Sequence, residues 1–111
     1  MLFPILGNIC YNSFMRIISK RALQDCWNIH SDAINPLAGW YAEAMKASWQ
    51  SPQDIKTQYK TASFLRDNRV VFNIGGNKYR LIVKINYLYS TVYIRFVGTH
   101  AEYDKINAEE I

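Results

Sequence analysis

The apolar positions of this chain change their period near residue 69. Upstream, Leu23, Cys26, Trp27 and His30 recur at helical spacing, and Leu37, Trp40, Tyr41, Ala44 and Met45 follow an i, i+3, i+4, i+7, i+8 stripe. The first set predicts a helix from Lys20 to about His30 with Ser19 as N-cap. The second predicts a helix capped by Asn35 with Pro36 at its first position. Ser51, Pro52 and Asp54 mark a short third helix to about Tyr59. Residues 16–19 suit a short apolar strand, and 60–68 read as a loop.

From Arg69 onward the period is two. Tyr79, Leu81, Val83 and Ile85 share one strand face, and Lys78, Arg80 and Lys84 share the other. Gly75, Gly76 and Asn77 supply the positive-φ residues of a tight hairpin, so 70–74 should pair antiparallel with 78–86. Residues 87–90 reverse the chain into a last strand, 91–99. There Val92, Ile94 and Phe96 are expected in the core, with Tyr93, Arg95, Val97 and Thr99 opposite. A final helical turn is expected at 101–106. The order β-α-α-(short α)-β-β-β predicts an α+β fold, with helices on one face of a twisted antiparallel sheet and the other face partly open.

With 111 residues, half of them hydrophobic, the chain suits one domain with one core. Its formal net charge is +4, and every charged side chain lies at or after Arg16. That excess is compatible with nucleic acid or an acidic partner but does not choose between them. Cys10 and Cys26 lack zinc-site spacing and are too few to staple the fold, so both thiols are read as reduced, in a cytoplasmic protein. The uncharged opening lacks the basic region and cleavage pattern of a signal peptide and is too short to span a bilayer, so no membrane association is expected. A cleaner pattern starts at Met15, and residues 1–14 are read as an upstream or non-native extension before a single domain, 15–111, the alternative being a genuine N-terminal strand or arm.

No GxxxxGK[ST], HExxH, GxSxG or CxxC motif occurs, which removes the usual signatures of nucleotide hydrolysis, zinc proteolysis, serine hydrolysis and thiol redox chemistry. His30 reads as a partly buried histidine near a helix C-terminus. Arg80, Lys84 and Arg95 suit either a solvated strand face or a phosphate site, since guanidinium presents a pre-organised fork to phosphate oxygens. His100 follows a strand end beside Tyr103, Asp104 and Lys105. It either exchanges protons in a site or caps the last turn with Tyr103 packed beneath it. Tyr87, Tyr89 and Tyr93 suit base stacking and strand propensity equally.

The segments MRIISKRAL, NPLAGWYAEAMKASW, VVFNIGGNKYRLIVKINY and VYIRFVGTHAEYDKI, in order from Met15 to Ile106, resemble the HigB-type toxins of the RelE/ParE superfamily from type II toxin–antitoxin systems. The resemblance implies a RelE/ParE-like fold and an mRNA interferase. Such a toxin cleaves messenger RNA at the 70S ribosome and is neutralised by a HigA-type helix-turn-helix antitoxin. It meets operator DNA only within that complex. It further implies metal-free, cofactor-free chemistry, in which the RNA 2′-hydroxyl attacks the adjacent phosphate. Carried over by position, Arg80, Arg95 and Tyr103 match superfamily site residues, and His100 lies in the same terminal cluster. Lys78, Lys84 and Lys105 are expected to bind RNA phosphate, with Lys78 and Lys105 also candidates for proton transfer. The lysine cluster that some members carry before the hairpin is absent, so no single base is assigned. The alternatives are a non-catalytic member of the same fold that disables a protein target, as ParE-type toxins do with gyrase, and a non-catalytic RNA-binding module.

Overall fold

The computed structural model describes residues 14–111. The expected extension at 1–14, with Cys10 inside it, lies outside the described residues except for Phe14. The elements run β1 (Arg16–Ile18), α1 (Lys20–Ile29), a 3₁₀ turn (Ser31–Ala33), α2 (Ile34–Lys46), α3 (Pro52–Gln58), β2 (Ser63–Leu65), β3 (Arg69–Ile74), β4 (Tyr79–Asn86), β5 (Thr91–Thr99) and α4 (His100–Tyr103). They form an α+β fold around a five-stranded sheet of order β1-β5-β4-β3-β2.

Three expectations change. The sheet is mixed, because β1 pairs parallel with β5 while the other pairings are antiparallel. The expected loop at 60–68 contains β2, which adds an edge strand to β3. The second helix starts earlier than expected, at Ile34, with Asn35 and Pro36 inside its first turn, whereas α1 starts at Lys20 as expected although Ser19, in left-handed conformation, makes no side-chain cap bond. The 3₁₀ turn delivers the chain into α2 in place of an Asn35 cap.

The hairpin forms as its residues require, with φ of 63°, 63° and 81° at Gly75, Gly76 and Asn77. Helix-side positions read across the sheet in rows: Val70, Val83 and Ile94; Phe72, Leu81 and Val97; Ile74, Tyr79 and Thr99. Leu37, Trp40 and Ala44 of α2 and Leu23 and Cys26 of α1 join the core on this side. Met45, at the end of the α2 stripe, is exposed.

The last strand departs from strict alternation. Val83 pairs with Ile94 but Ile82 pairs with Phe96, which leaves Arg95 as the extra residue of a β-bulge. One inserted residue reverses which side chains face the helices. Val97 and Thr99 therefore turn to the helix side, and Phe96 joins the opposite face, contrary to the alternation read from 92–99. That opposite face carries three rows: Arg69, Lys84 and Tyr93; Val71, Ile82 and Phe96; Asn73, Arg80 and Gly98. Val71 and Ile82 are buried but stand apart from the helix-side core.

Candidate active site on the open sheet face

The turn after β5 is built by its own sequence. Thr99 caps α4: its hydroxyl accepts from the Glu102 amide at 3.1 Å, and Glu102 Oε1 accepts from the Thr99 amide at 2.8 Å. This reciprocal capping box is written in the Thr99-x-x-Glu102 spacing, so the cap belongs to Thr99 and not to His100. The Thr99 amide, helped by its hydroxyl and by the charges of His30 and Lys105, holds the Glu102 carboxyl below the usual carboxylate range. Gly98 is needed beside this cap. A Cβ there would stand 2.6 Å from Glu102 Oε1 and 2.8 Å from the Phe96 ring.

The capped turn places His100 and Tyr103 at the hairpin end of the open face. The His100 amide donates to the Lys78 carbonyl at 3.2 Å, which ties the turn to the start of β4. Tyr103 lies under the Arg80 guanidinium, 5.6 Å from ring centroid to Cζ, and Arg80 Nη1 donates to the Asn77 carbonyl at 3.2 Å. His100 Nδ1 lies 3.1 Å from Asp104 Oδ2, one helical turn on. Tyr103 thus packs beneath Arg80, and His100 opens the same short turn, with its amide tied to the start of β4 and its imidazole beside Asp104.

The remaining predicted residues lie elsewhere. Lys78 adjoins the cluster, but its Nζ donates to Asp32 Oδ2, and the Tyr79 hydroxyl donates to Oδ1 of the same carboxylate. The Lys78 hydrogen bond, and after it that of Tyr79, pulls the Asp32 carboxyl below its usual range. The same contact, with burial second, pushes the Tyr79 phenol up to about 12. Asp32 had no signal in the local pattern, since it meets Lys78 across 46 residues.

Arg95, as the bulge residue, sends its Nε toward the Ile111 main-chain oxygen at 3.4 Å, an oxygen that also accepts from Arg69 Nε at 3.1 Å. Arg95 is therefore on the open face as expected, but at the Arg69 end. Lys84 is half-buried in the Arg69 row and lines a shallow cavity of about 340 Å³ with Asn68, Asn86 and Tyr93. Lys105 is exposed just beyond α4. His30 ends α1 half-buried, with its ring 5.5 Å from that of Tyr79. Among the described residues no group of three or more His, Cys, Asp or Glu side chains is assembled as for a metal ion. Nor does any described helix have the length and apolarity to cross a membrane.

Comparison with known proteins adds the following. The family described as HigB_toxin, the RelE-like toxic component of a toxin–antitoxin system, matches residues 33–106. A protein named mRNA interferase HigB from Escherichia coli O6:H1 is 27% identical over 94 residues, covering 83% of this chain and 91% of that protein. The mRNA interferase toxin HigB of Escherichia coli strain K12 is 28% identical over 96 residues, covering 85% of this chain and 92% of its own length. The same values hold for a protein named mRNA interferase HigB from Shigella flexneri.

Proposed function

The chain belongs to the HigB toxin family, the RelE-like toxic component of a toxin–antitoxin system, and from that premise we propose that it is an mRNA interferase. It is a metal-independent endoribonuclease that acts in the cytoplasm on messenger RNA at the ribosome and so stops translation. The observation that carries this reading is the Arg80 guanidinium stacked on Tyr103, with His100 on the same short turn.

Three kinds of group are needed. A base takes the proton of the 2′-hydroxyl, whose oxygen then attacks the adjacent phosphorus. A cation stabilises the charge that gathers on the non-bridging oxygens of the phosphorane. An acid protonates the departing 5′-oxygen, leaving a 2′,3′-cyclic phosphate and a 5′-hydroxyl. Arg80 supplies the cation, fixed by the Tyr103 ring and the Asn77 carbonyl. His100 and Tyr103 serve the two protons, and Asp104 on Nδ1 orients the imidazole and favours Nε2 as its proton-accepting nitrogen. Arg95 supplies a second guanidinium to the phosphate backbone. Lys78, Lys84 and Lys105 attract and hold the RNA strand, Lys78 after exchanging part of its Asp32 contact.

As the toxic component of its pair, the protein has an antitoxin partner, which we take to be of the HigA type with a helix-turn-helix domain. Operator DNA is reached through that complex. The test is incubation with free RNA in chelator and with translating ribosomes in magnesium, followed by analysis of product ends. Cyclic phosphate and 5′-hydroxyl ends, formed in chelator or at the ribosome, are expected. Folded protein that cleaves neither substrate would refute the assignment, and ends bearing 5′-phosphate would refute the mechanism.

A further inference from the structure

Arg69 is not explained by the cleavage centre. It is only 7% exposed, yet it lies on the open face, in register with Lys84 and Tyr93. Its Nε gives its hydrogen to the Ile111 oxygen, and its Nη1 makes no hydrogen bond, with Asp67 on the rim at 3.5 Å. The Asp67 carboxylate pairs with Nη1 from the rim without a hydrogen bond, so a donor of this buried guanidinium stays open to a better-placed anion. Arg95 reaches the same Ile111 oxygen from the neighbouring bulge, so the Nε groups of two arginines converge on one acceptor.

What supplies that acceptor is a short, lightly held segment. Residues 107–111 fold on themselves: the Glu110 and Ile111 amides donate to the Asn107 carbonyl at 3.1 and 3.2 Å, and the Glu109 amide to Asn107 Oδ1 at 3.1 Å. Besides the Ile111 oxygen, the ion pair holding the segment to the sheet is Arg66 to Glu109, at 3.7 Å between exposed side chains. Exposed pairs of that kind contribute little. The Ile111 oxygen meets each arginine through Nε alone, whereas a phosphate group spreads its charge over several oxygens and can accept from both guanidiniums.

We propose that Arg69 and Arg95 form an anion subsite that takes a phosphodiester group of the bound RNA strand, and that residues 107–111 occupy it in the free protein as a displaceable strap. The inference rests on the RNA reading above and extends it to a second phosphate, one register row beyond Val71, Ile82 and Phe96 from Arg80. The strap makes binding at this end conditional on its own release.

The experiment titrates the full chain and its variants with an uncleavable 2′-O-methyl oligoribonucleotide, by anisotropy over a range of salt, with inorganic phosphate as competitor. Arg69→Gln should weaken binding on the order of tenfold and lower the slope of log affinity against log salt by about 0.7. Asn107→Ala removes a bond that shapes the strap and should tighten binding, a gain that Arg69→Gln cancels in the double variant. If Arg69→Gln fails to fold, Arg69→Lys keeps the charge without the fork and should still weaken binding. Wild-type affinity in the folded Arg69 variant overturns the subsite, wild-type affinity in Asn107→Ala overturns the strap, and failure of phosphate to compete overturns the phosphodiester assignment. Protein that binds as expected but cleaves no RNA retains this inference and loses the cleavage reading. Cleavage with Arg69-independent affinity does the reverse.

Discussion

Arg80→Ala separates chemistry from stability because the two losses differ in size. Within the fold, the Arg80 guanidinium makes one contact with the Tyr103 ring at 5.6 Å and one hydrogen bond to the Asn77 carbonyl. A half-exposed cation–π contact is worth about 0.5–1 kcal/mol and the hydrogen bond about as much again, so the folding loss is at most about 2 kcal/mol. Even a domain stable by only about 5 kcal/mol stays roughly 99% folded after that loss, with Tm lowered by about 5–15 °C. The effect on cleavage is of another order. Removing one preorganised donor from developing phosphorane charge costs about 3 kcal/mol in the barrier, roughly a hundredfold in rate. Partial unfolding therefore cannot account for the expected rate loss. The assay is single-turnover cleavage with protein in excess, beside oligonucleotide binding and a thermal melt. Tyr103→Phe is the control, since it keeps the ring under Arg80 and should melt near the wild type while cleaving poorly. Wild-type cleavage by folded Arg80→Ala would refute the assignment of Arg80, and collapse of its melting transition would show that the cluster is structural.

Two further outcomes follow from the surroundings of the site. Asp32, held below the usual carboxylate range by Lys78 and Tyr79, contributes stability that is present above its unfolded value and lost as pH falls through the folded one. Asp32→Asn should flatten the acid limb of Tm against pH from about pH 4 downward. On the alkaline side Tyr79, pushed up to about 12, contributes stability that is lost as pH rises through that value, and the same variant should weaken it. Superimposable Tm–pH curves for the two proteins would contradict the coupling. Gly98→Ala places a Cβ against Glu102 Oε1 and the Phe96 ring, so either the capping box or the ring must yield. A loss of about 1–3 kcal/mol is expected, read by denaturant titration, and an unchanged midpoint would show that the turn adapts freely.

The sequence by itself determined what depends on neighbours along the chain. The change of period at Arg69, the Gly75–Gly76–Asn77 hairpin and the stripe of Leu37, Trp40 and Ala44 are local signals, and each forms the element its spacing predicts. So does the helix face of β4, and with it the placement of Arg80 on the opposite side. The approach of Tyr103 to Arg80 follows from a strand end and one capped turn. Tertiary structure decided the rest. Alternation in 91–99 cannot reveal that Arg95 is an inserted residue, because a bulge is defined by the partner strand, and that insertion sends Val97 inward and Phe96 outward. Parallel pairing of β1 with β5 likewise joins segments more than seventy residues apart, a choice made by docking of the helices between them. Asp32 meets Lys78 and Tyr79, and Ile111 meets Arg69 and Arg95, only once the helices and the last segment have closed on the sheet. Charge and period place each group on a face; which other charge waits there is settled by contacts that no local pattern encodes.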